Sequence, residues 1–337
     1  MTMEITSSGR LPWIDMLRGY CMIAILLFHT EVYYTGDAVI PYSFYVDNVL
    51  TIFFFVSGYL FMKKGATVDA TFVKHKLRSI VDGLLVPYFL LSTALSLPKS
   101  IVRGVSLSQL LLDIVMGRAY WFVAALIVAE IIFLLLLWIS RGSGLKMFLL
   151  VVSICAPLTP LVLHYCGDGL PWHVENSLLV LPFLFAGYEY RRYEKECERS
   201  CRWPYLLVAA AGLVCAKFIE YTHIMPMCVD PINIGSWPLF FIDNALGIIL
   251  AVAIVKRLPL VSRVAWTGAN SLLYYFLCSA VPLAVSMLFG RIGLTYSGMY
   301  SSVVLVLVIV YAVSTVITWA VYRSLQKIRF LINSYRK

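Results

Sequence analysis

The chain has 337 residues, of which 61% are hydrophobic and only 13% are charged, and its mean hydropathy is +0.85. Soluble domains carry about 25% charged residues, so this composition excludes a soluble protein and predicts an integral membrane protein. The net charge of +9 fits attraction to anionic inner-leaflet lipid. We therefore expect the lipid bilayer, and no nucleic acid, as a partner.

Ten apolar segments approach the length that crosses a bilayer. They are residues 11–33, 45–62, 80–97, 119–140, 147–165, 176–190, 204–222, 237–255, 266–289 and 298–322. The predicted fold class is therefore all-α, a polytopic membrane bundle of about ten transmembrane helices in one domain over residues 1–337. We expect no cleavable signal peptide, because the first apolar segment is too long and lacks a small-residue cleavage site.

Loops rich in lysine and arginine alternate with loops poor in them along this topology. Of the 27 basic residues, 21 fall in predicted cytoplasmic segments, and this excess is the positive-inside signature. Both termini are therefore predicted to be cytoplasmic. The 21 residues are Arg10, Lys63, Lys64, Lys74, Lys76, Arg78, Arg141, Lys146, Arg191, Arg192, Lys195, Arg199, Arg202, Lys256, Arg257, Arg263, Arg323, Lys327, Arg329, Arg336 and Lys337.

The eight cysteines are scattered along the chain, and none has the spacing of metal ligands. The sequence therefore predicts no metal site. Cys166 and Cys228 fall in predicted outer loops, where a disulfide could form in an oxidising compartment.

The first apolar segment carries Asp15, Arg18 and His29. Eleven residues separate Arg18 from His29, which is about three helical turns, so both side chains lie on one face about 16 Å apart. Asp15 precedes Arg18 by three residues and shares that face. Ionisable residues inside a membrane usually mark function, so we predict that His29 is a general base or acyl carrier. The alternative for Asp15 and Arg18 is an ion pair that holds the helix to a neighbour.

Polar residues also interrupt the second and fourth segments. Ser57 and Tyr59 lie in an aromatic run around Gly58, where ordinary small-residue helix packing is the alternative to a site. Trp121 opens the fourth segment, where an aromatic belt at the membrane interface would also explain it. Glu130 lies within that segment and should face the interior.

A basic cluster precedes the third segment on the predicted cytoplasmic side. It consists of Lys74, His75, Lys76 and Arg78. Such a cluster is suited to the phosphates of a cofactor. A topology anchor is the alternative.

Three motifs resemble those of the acyltransferase-3 family of bacterial membrane O-acyltransferases. Trp13-Ile-Asp-Met-Leu-Arg-Gly19 with Leu26-Leu-Phe-His-Thr30 resembles the opening "D-x-x-R-G … H" motif. Phe53-Phe-Phe-Val-Ser-Gly-Tyr59 resembles the "FF-x-x-SG-[YF]" helix, and Tyr120-Trp-Phe-Val-Ala-Ala-Leu126 is similar to "WF-x-x-x-L". Weaker similarities are Leu84-Leu-Val-Pro-Tyr88 and Gly268-Ala-Asn-Ser-Leu272.

Two positions depart from the family pattern. The family often has "R-x-x-R" before its third span, whereas this chain has His75 three residues before Arg78. The "G-x-N-S-L" helix frequently ends in a histidine where this chain has Cys278.

The resemblance implies an enzyme of the bacterial cytoplasmic membrane. Its donor would be acetyl-CoA, or another short acyl-CoA, from the cytosol, and its acceptor a hydroxyl of a glycan or lipid-linked saccharide. His29 would be the catalytic histidine, with Arg18 and Asp15 in the same motif. The basic cluster would bind the cofactor, and the lining residues would be Ser57, Tyr59, Trp121 and Glu130.

A transporter or flippase for a glycan intermediate is the alternative function. It would use a similar polar interior and is expected to contain paired repeats. The C-terminal half contains no second Asp-x-x-Arg … His pattern, which favours the enzyme.

Overall fold

A computed structural model describes residues 11–62, 67–167, 169–200, 202–223, 225 and 227–335. It is 81% helical with almost no strand, so the predicted all-α fold is confirmed. Several basic residues used for the topology lie outside the described residues. They are Arg10, Lys63, Lys64, Arg336 and Lys337.

The described residues form fifteen α-helices. They are α1 Pro12–Thr35, α2 Tyr42–Leu60, α3 Ala70–Ile80, α4 Val86–Arg103, α5 Leu107–Val115, α6 Trp121–Ser140, α7 Gly144–Cys166, α8 Val174–Arg192, α9 Glu194–Ser200, α10 Trp203–Thr222, α11 Trp237–Val255, α12 Ser262–Ala269, α13 Ser271–Leu277, α14 Ala280–Arg291 and α15 Tyr300–Tyr335. A π-helical turn, Val81–Leu85, joins α3 to α4, and a 3-10 turn, Pro171–His173, precedes α8. Two short antiparallel strands, β1 Met227–Cys228 and β2 Asn233–Ile234, pair before α11.

Seven of the described helical segments are long and apolar enough to cross a membrane. They are α2, Ala70–Ile101 through α3 and α4, α6, α7, α10, α11 and Tyr300–Ser324 of α15. Helices α13 and α14 are bent by 43° and make an eighth if they form one broken span. The predicted segments 11–33 and 176–190 are the helices α1 and α8, but both contain ionisable residues. The polytopic bundle is confirmed, and the count of ten spans with cytoplasmic termini stays a prediction.

The chain divides into two compact units. Unit 1 comprises residues 1–49 and 254–337, and unit 2 comprises residues 50–253. In unit 1, α1 packs mainly against α12 and also contacts α13, α14 and α15. In unit 2, α8 packs against α6 and α7. The single acyltransferase domain over the whole chain stays a prediction.

Glycines allow a close helix contact in unit 2. A Cβ at Gly58 of α2 would lie 1.9 Å from the carbonyl oxygen of Leu184 in α8. A Cβ at Gly187 of α8 would lie 1.9 Å from the carbonyl oxygen of Phe55. Only glycine fits at either position, so the packing of Gly58 is confirmed and does not by itself indicate a site.

The two outer-loop cysteines of the sequence analysis do not form a disulfide. Cys166 is exposed at the end of α7. The Cys228 thiol donates a hydrogen bond to the carbonyl oxygen of Asp230 at 3.3 Å.

Candidate active site

Helix α1 is continuous from Pro12 to Thr35, so Arg18 and His29 share a face as the spacing predicts. Pro12 is compatible with the first helical turn, where a backbone N–H would have no acceptor within the helix. Gly36 follows the last residue of the helix in a left-handed conformation, with a φ of 91°. Arg18 and His29 are both partly buried. The apolar residues around them form the buried side of the helix.

Two glycines bring α12 against the N-terminal half of α1. A Cβ at Gly268 would lie 1.7 Å from the carbonyl oxygen of Asp15. A Cβ at Gly19 would lie 2.1 Å from the carbonyl oxygen of Val264. Because both neighbours are backbone atoms, no side-chain rotation could make room. This contact explains why this chain has glycine at residues 19 and 268.

The close contact places Ser271, the first residue of α13, beside Arg18. The Arg18 Nη2 donates a hydrogen bond to Ser271 Oγ at 2.8 Å. A hydrogen bond from a charged donor restricts the guanidinium more strongly than a neutral one would. Ser271 was missed as a partner of Arg18, although it lies in the weak Gly268–Leu272 similarity.

His29 lies among aromatic rings toward the other end of α1. Its ring packs edge-on against Phe28, with centroids 5.4 Å apart, and is nearly parallel to Tyr33 at 6.2 Å. The Tyr33 hydroxyl donates to Ser279 Oγ at 3.4 Å. These contacts orient the imidazole within unit 1.

Glu31 is a buried residue that the sequence analysis did not assign. Its Oε1 accepts a hydrogen bond from the Tyr300 hydroxyl at 2.5 Å, and its Oε2 accepts from the Ile40 N–H at 3.1 Å. It therefore joins the His29 end of α1 to the following loop and to α15. Its position inside an apolar segment is the sequence feature that indicates a role for this carboxylate.

In unit 2, the side chains of Ser57 and Glu130 form a hydrogen bond, and Lys76 forms an ion pair with Glu130. Ser57 Oγ donates to Glu130 Oε1 at 2.5 Å, and Lys76 Nζ lies 3.7 Å from Glu130 Oε2. The Lys76 ammonium also lies 4.0 Å from the centroid of the Phe61 ring. The sequence analysis grouped Lys76 with the cofactor-binding residues. In the structure, Lys76 instead contacts Glu130, which was predicted to line the site.

The rest of the basic cluster lies on the opposite side of α3. Lys74, His75 and Arg78 are exposed. The Arg78 side chain is 83% exposed, and its Nε lies 3.4 Å from Asp82 Oδ2. Residues two apart on a helix point in different directions, which separates Lys76 from Arg78.

Tyr59 is buried in contact with the end of α8 and the start of α9. Its hydroxyl donates to Glu194 Oε2 at 2.8 Å and accepts from Arg191 Nη1. The Arg191 guanidinium also lies 4.7 Å from the Tyr59 ring centroid. Tyr59 thus fixes a loop on the predicted cytoplasmic side.

Trp121 lies beside a buried histidine that the sequence analysis missed. The Trp121 and His173 ring centroids are 6.2 Å apart. His173 Nδ1 lies 3.3 Å from Asn176 Oδ1 and 3.4 Å from Asp230 Oδ1. Asn176 Nδ2 in turn donates to the carbonyl oxygen of Val229 at 2.5 Å. These contacts join the turn before α8 to the segment around β1. The two segments are far apart in the sequence, so the sequence alone did not indicate the contact.

Within the part of the chain that the structure describes, no group of three His, Cys, Asp or Glu side chains is placed to hold a metal ion. The predicted site residues supply imidazole, guanidinium, ammonium, carboxylate and hydroxyl groups.

Comparison with family models gives a match to the Acyl_transf_3 acyltransferase domain over residues 11–323. No curated protein and no solved structure matches the chain. The match covers nearly the whole chain and includes both units. The chain therefore belongs to the acyltransferase-3 family of membrane acyltransferases.

Proposed function

We propose that this protein transfers an acyl group, acetyl in the first instance, from cytosolic acyl-CoA to a hydroxyl of a cell-surface or lipid-linked glycan. Its place would be the bacterial cytoplasmic membrane. The family supports acyl transfer in general. The observation that carries the finer proposal is the shared face of α1, on which Arg18 is held by Ser271 and His29 by aromatic rings.

In the proposed reaction, His29 is the general base. Its neutral imidazole takes the proton of the acceptor hydroxyl while that oxygen attacks the thioester carbonyl carbon. The carbon–sulfur bond then breaks, CoA leaves as a thiolate, and the thiolate takes the proton from the imidazolium. The products are the ester and CoA thiol, so protons and electrons balance. A general base of this kind contributes about 10²–10⁴-fold in rate.

Arg18 stays positively charged throughout and cannot act as the base. Its proposed role is to attract the negative charge of the donor or of the developing thiolate. Asp15 lies one turn before it on α1. Its proposed role is to orient the motif rather than to accept the proton.

The exposed basic side chains of α3 are the proposed contacts for the CoA phosphates. Lys74, His75 and Arg78 lie exposed together on the predicted cytoplasmic side. Cation–phosphate hydrogen bonds are among the strongest a surface offers. In unit 2, Ser57, Glu130 and Trp121 are proposed to line the path of the acyl group or the acceptor.

The decisive experiment measures CoA thiol release and label transfer from radiolabelled acetyl-CoA to a glycan fraction, using protein in lipid nanodiscs. We expect His29→Ala to abolish both, while acetyl-CoA binding and elution on gel filtration stay unchanged. His223→Ala is the matched control, because His223 is exposed outside the predicted site. The wild-type rate should fall at acid pH, because a protonated imidazole cannot accept the proton of the acceptor hydroxyl.

Full activity of the His29→Ala protein would overturn the assignment. Glycan translocation without any release of CoA by the wild-type protein would favour the transporter instead. Faster release from succinyl-CoA than from acetyl-CoA would keep the reaction and change the donor.

A further inference from the structure

A groove runs along unit 1 between α12 and α15, and neither Arg18 nor His29 lines it. Its volume is about 670 Å³. Helix α12 contributes its first turn, and α15 contributes one long face. The lining residues are Ser262, Arg263, Trp266, Val308, Tyr311, Ala312, Thr315, Val316 and Trp319.

The α15 wall has the length of one leaflet. Val308, Ala312, Val316 and Trp319 recur at helical spacing on one face. From Val308 to Trp319 the helix rises about 16 Å. Half of a typical hydrocarbon core is about 15 Å. An acyl chain of the cytoplasmic leaflet therefore matches the groove in length.

The two hydroxyls that α15 contributes to the groove wall, those of Tyr311 and Thr315, are already engaged within the protein. The Tyr311 hydroxyl lies 2.7 Å from Thr267 Oγ1, and Thr315 Oγ1 lies 2.7 Å from the Tyr274 hydroxyl. Thr315 Oγ1 also donates to the Tyr311 carbonyl oxygen at 2.7 Å. An alkyl chain in the groove would thus leave these polar groups satisfied, which is what burial requires.

The end of the groove at the predicted cytoplasmic side is basic. Arg263 is exposed and adjoins Ser262. The Arg323 guanidinium lies 5.3 Å from the centroid of the Trp319 ring, one turn beyond the groove on the same face of α15. Neither arginine forms an ion pair with a carboxylate among the residues described. Tryptophans at this level, here Trp266 and Trp319, are typical of the membrane interface.

We propose that this groove binds one anionic glycerophospholipid of the cytoplasmic leaflet. Its phosphate would contact Arg263 and Arg323, and one acyl chain would lie along α15. Basic pockets between transmembrane helices on the cytoplasmic side have the chemistry for such headgroups. The proposal does not depend on acyl transfer, since none of these residues takes part in the proposed reaction.

The test is native mass spectrometry of the full chain in detergent, titrated with phosphatidylglycerol or phosphatidylcholine. We expect a bound phosphatidylglycerol with affinity about tenfold above that for phosphatidylcholine. The double variant Arg263→Ala, Arg323→Ala should lose this preference. Arg291→Ala, which removes an exposed arginine of α14, should keep it.

A second variant tests the contribution of the groove independently of its two arginines. Ala312 is exposed in the groove wall, so Ala312→Phe fills the groove without disturbing the buried core. We expect it to lose the bound lipid while both arginines remain. Retained phosphatidylglycerol in Ala312→Phe would overturn the proposal, because the lipid would then bind a basic surface alone. A lipid-free dimer that Ala312→Phe dissociates would also overturn it, in favour of a second copy of the chain.

Discussion

Helices α1 and α3 both carry cations that the sequence connects with the reaction, but they hold them differently. On α1, the helix contacts α12 so closely that Gly19 and Gly268 have no room for a side chain, and Arg18 is fixed by Ser271. On α3, one cation lies against a buried carboxylate and the others are exposed. A charged helix in a tight contact can position a reacting group, whereas an exposed one mainly supplies attraction.

The largest expected effect is structural and comes from the buried side of α3. Lys76→Ala leaves the Glu130 carboxylate without its cation, and removing one partner of a buried pair costs about 3–5 kcal/mol. The unfolding midpoint in detergent measures the loss. The double variant Lys76→Met, Glu130→Gln removes both charges and should recover much of it. Equal losses in the single and double variants would contradict a buried ion pair.

The next effect is on catalysis and comes from α1. Arg18→Ala should lower the rate of CoA release by about 10²–10³-fold, the usual cost of losing one preorganised electrostatic contact. Ser271→Ala is the matched control, because it removes only the tether and should cost about tenfold or less. An Arg18→Ala protein with wild-type turnover would place Arg18 outside the reaction.

A smaller effect tests the tight contact itself. Gly268→Ala places a Cβ against the Asp15 carbonyl, and overpacking typically costs about 1–3 kcal/mol of unfolding free energy. Gly290→Ala in α14 is the control, since a Cβ there meets nothing within 4 Å. The control should be neutral or slightly stabilising, because alanine favours a helix. Equal unfolding midpoints for the two variants would disprove the tight contact.

The smallest effect concerns the exposed side of α3. Arg78→Ala should raise the Kd for acetyl-CoA about tenfold at low ionic strength and less at high salt, as for exposed cation–phosphate contacts. Lys146→Ala removes another exposed cation and should leave the Kd unchanged. An unaltered Kd for Arg78→Ala in low salt would make Arg78 a topology anchor.

The sequence predicted local features well because they follow from helical periodicity. The apolar segments became helices, and Arg18 and His29 lie on one face of α1. The same periodicity should have separated Lys76 from Arg78, which the sequence analysis treated as one cluster. Helix geometry, rather than proximity in the sequence, decides which cations act together.

Contacts between distant segments could not be predicted in this way. Ser271 lies 253 residues from Arg18, and Tyr300 lies 269 residues from Glu31. His173 reaches Asp230 only through the fold of unit 2. Each of these residues has a common type and an ordinary local pattern, so a single sequence gives no indication of its partner.

The bond from Arg18 to Ser271 also has a consequence for biosynthesis. Translation proceeds at about 5–20 residues per second, so Ser271 is made about 13–50 s after Arg18. Gly268, which gives α1 its close neighbour, is equally late. If the span predicted at residues 11–33 inserts during translation, it does so before α12 and α13 exist, and water or other polar groups then have to solvate the Arg18 guanidinium. Unit 1 can therefore be completed only after the last third of the chain has been synthesised.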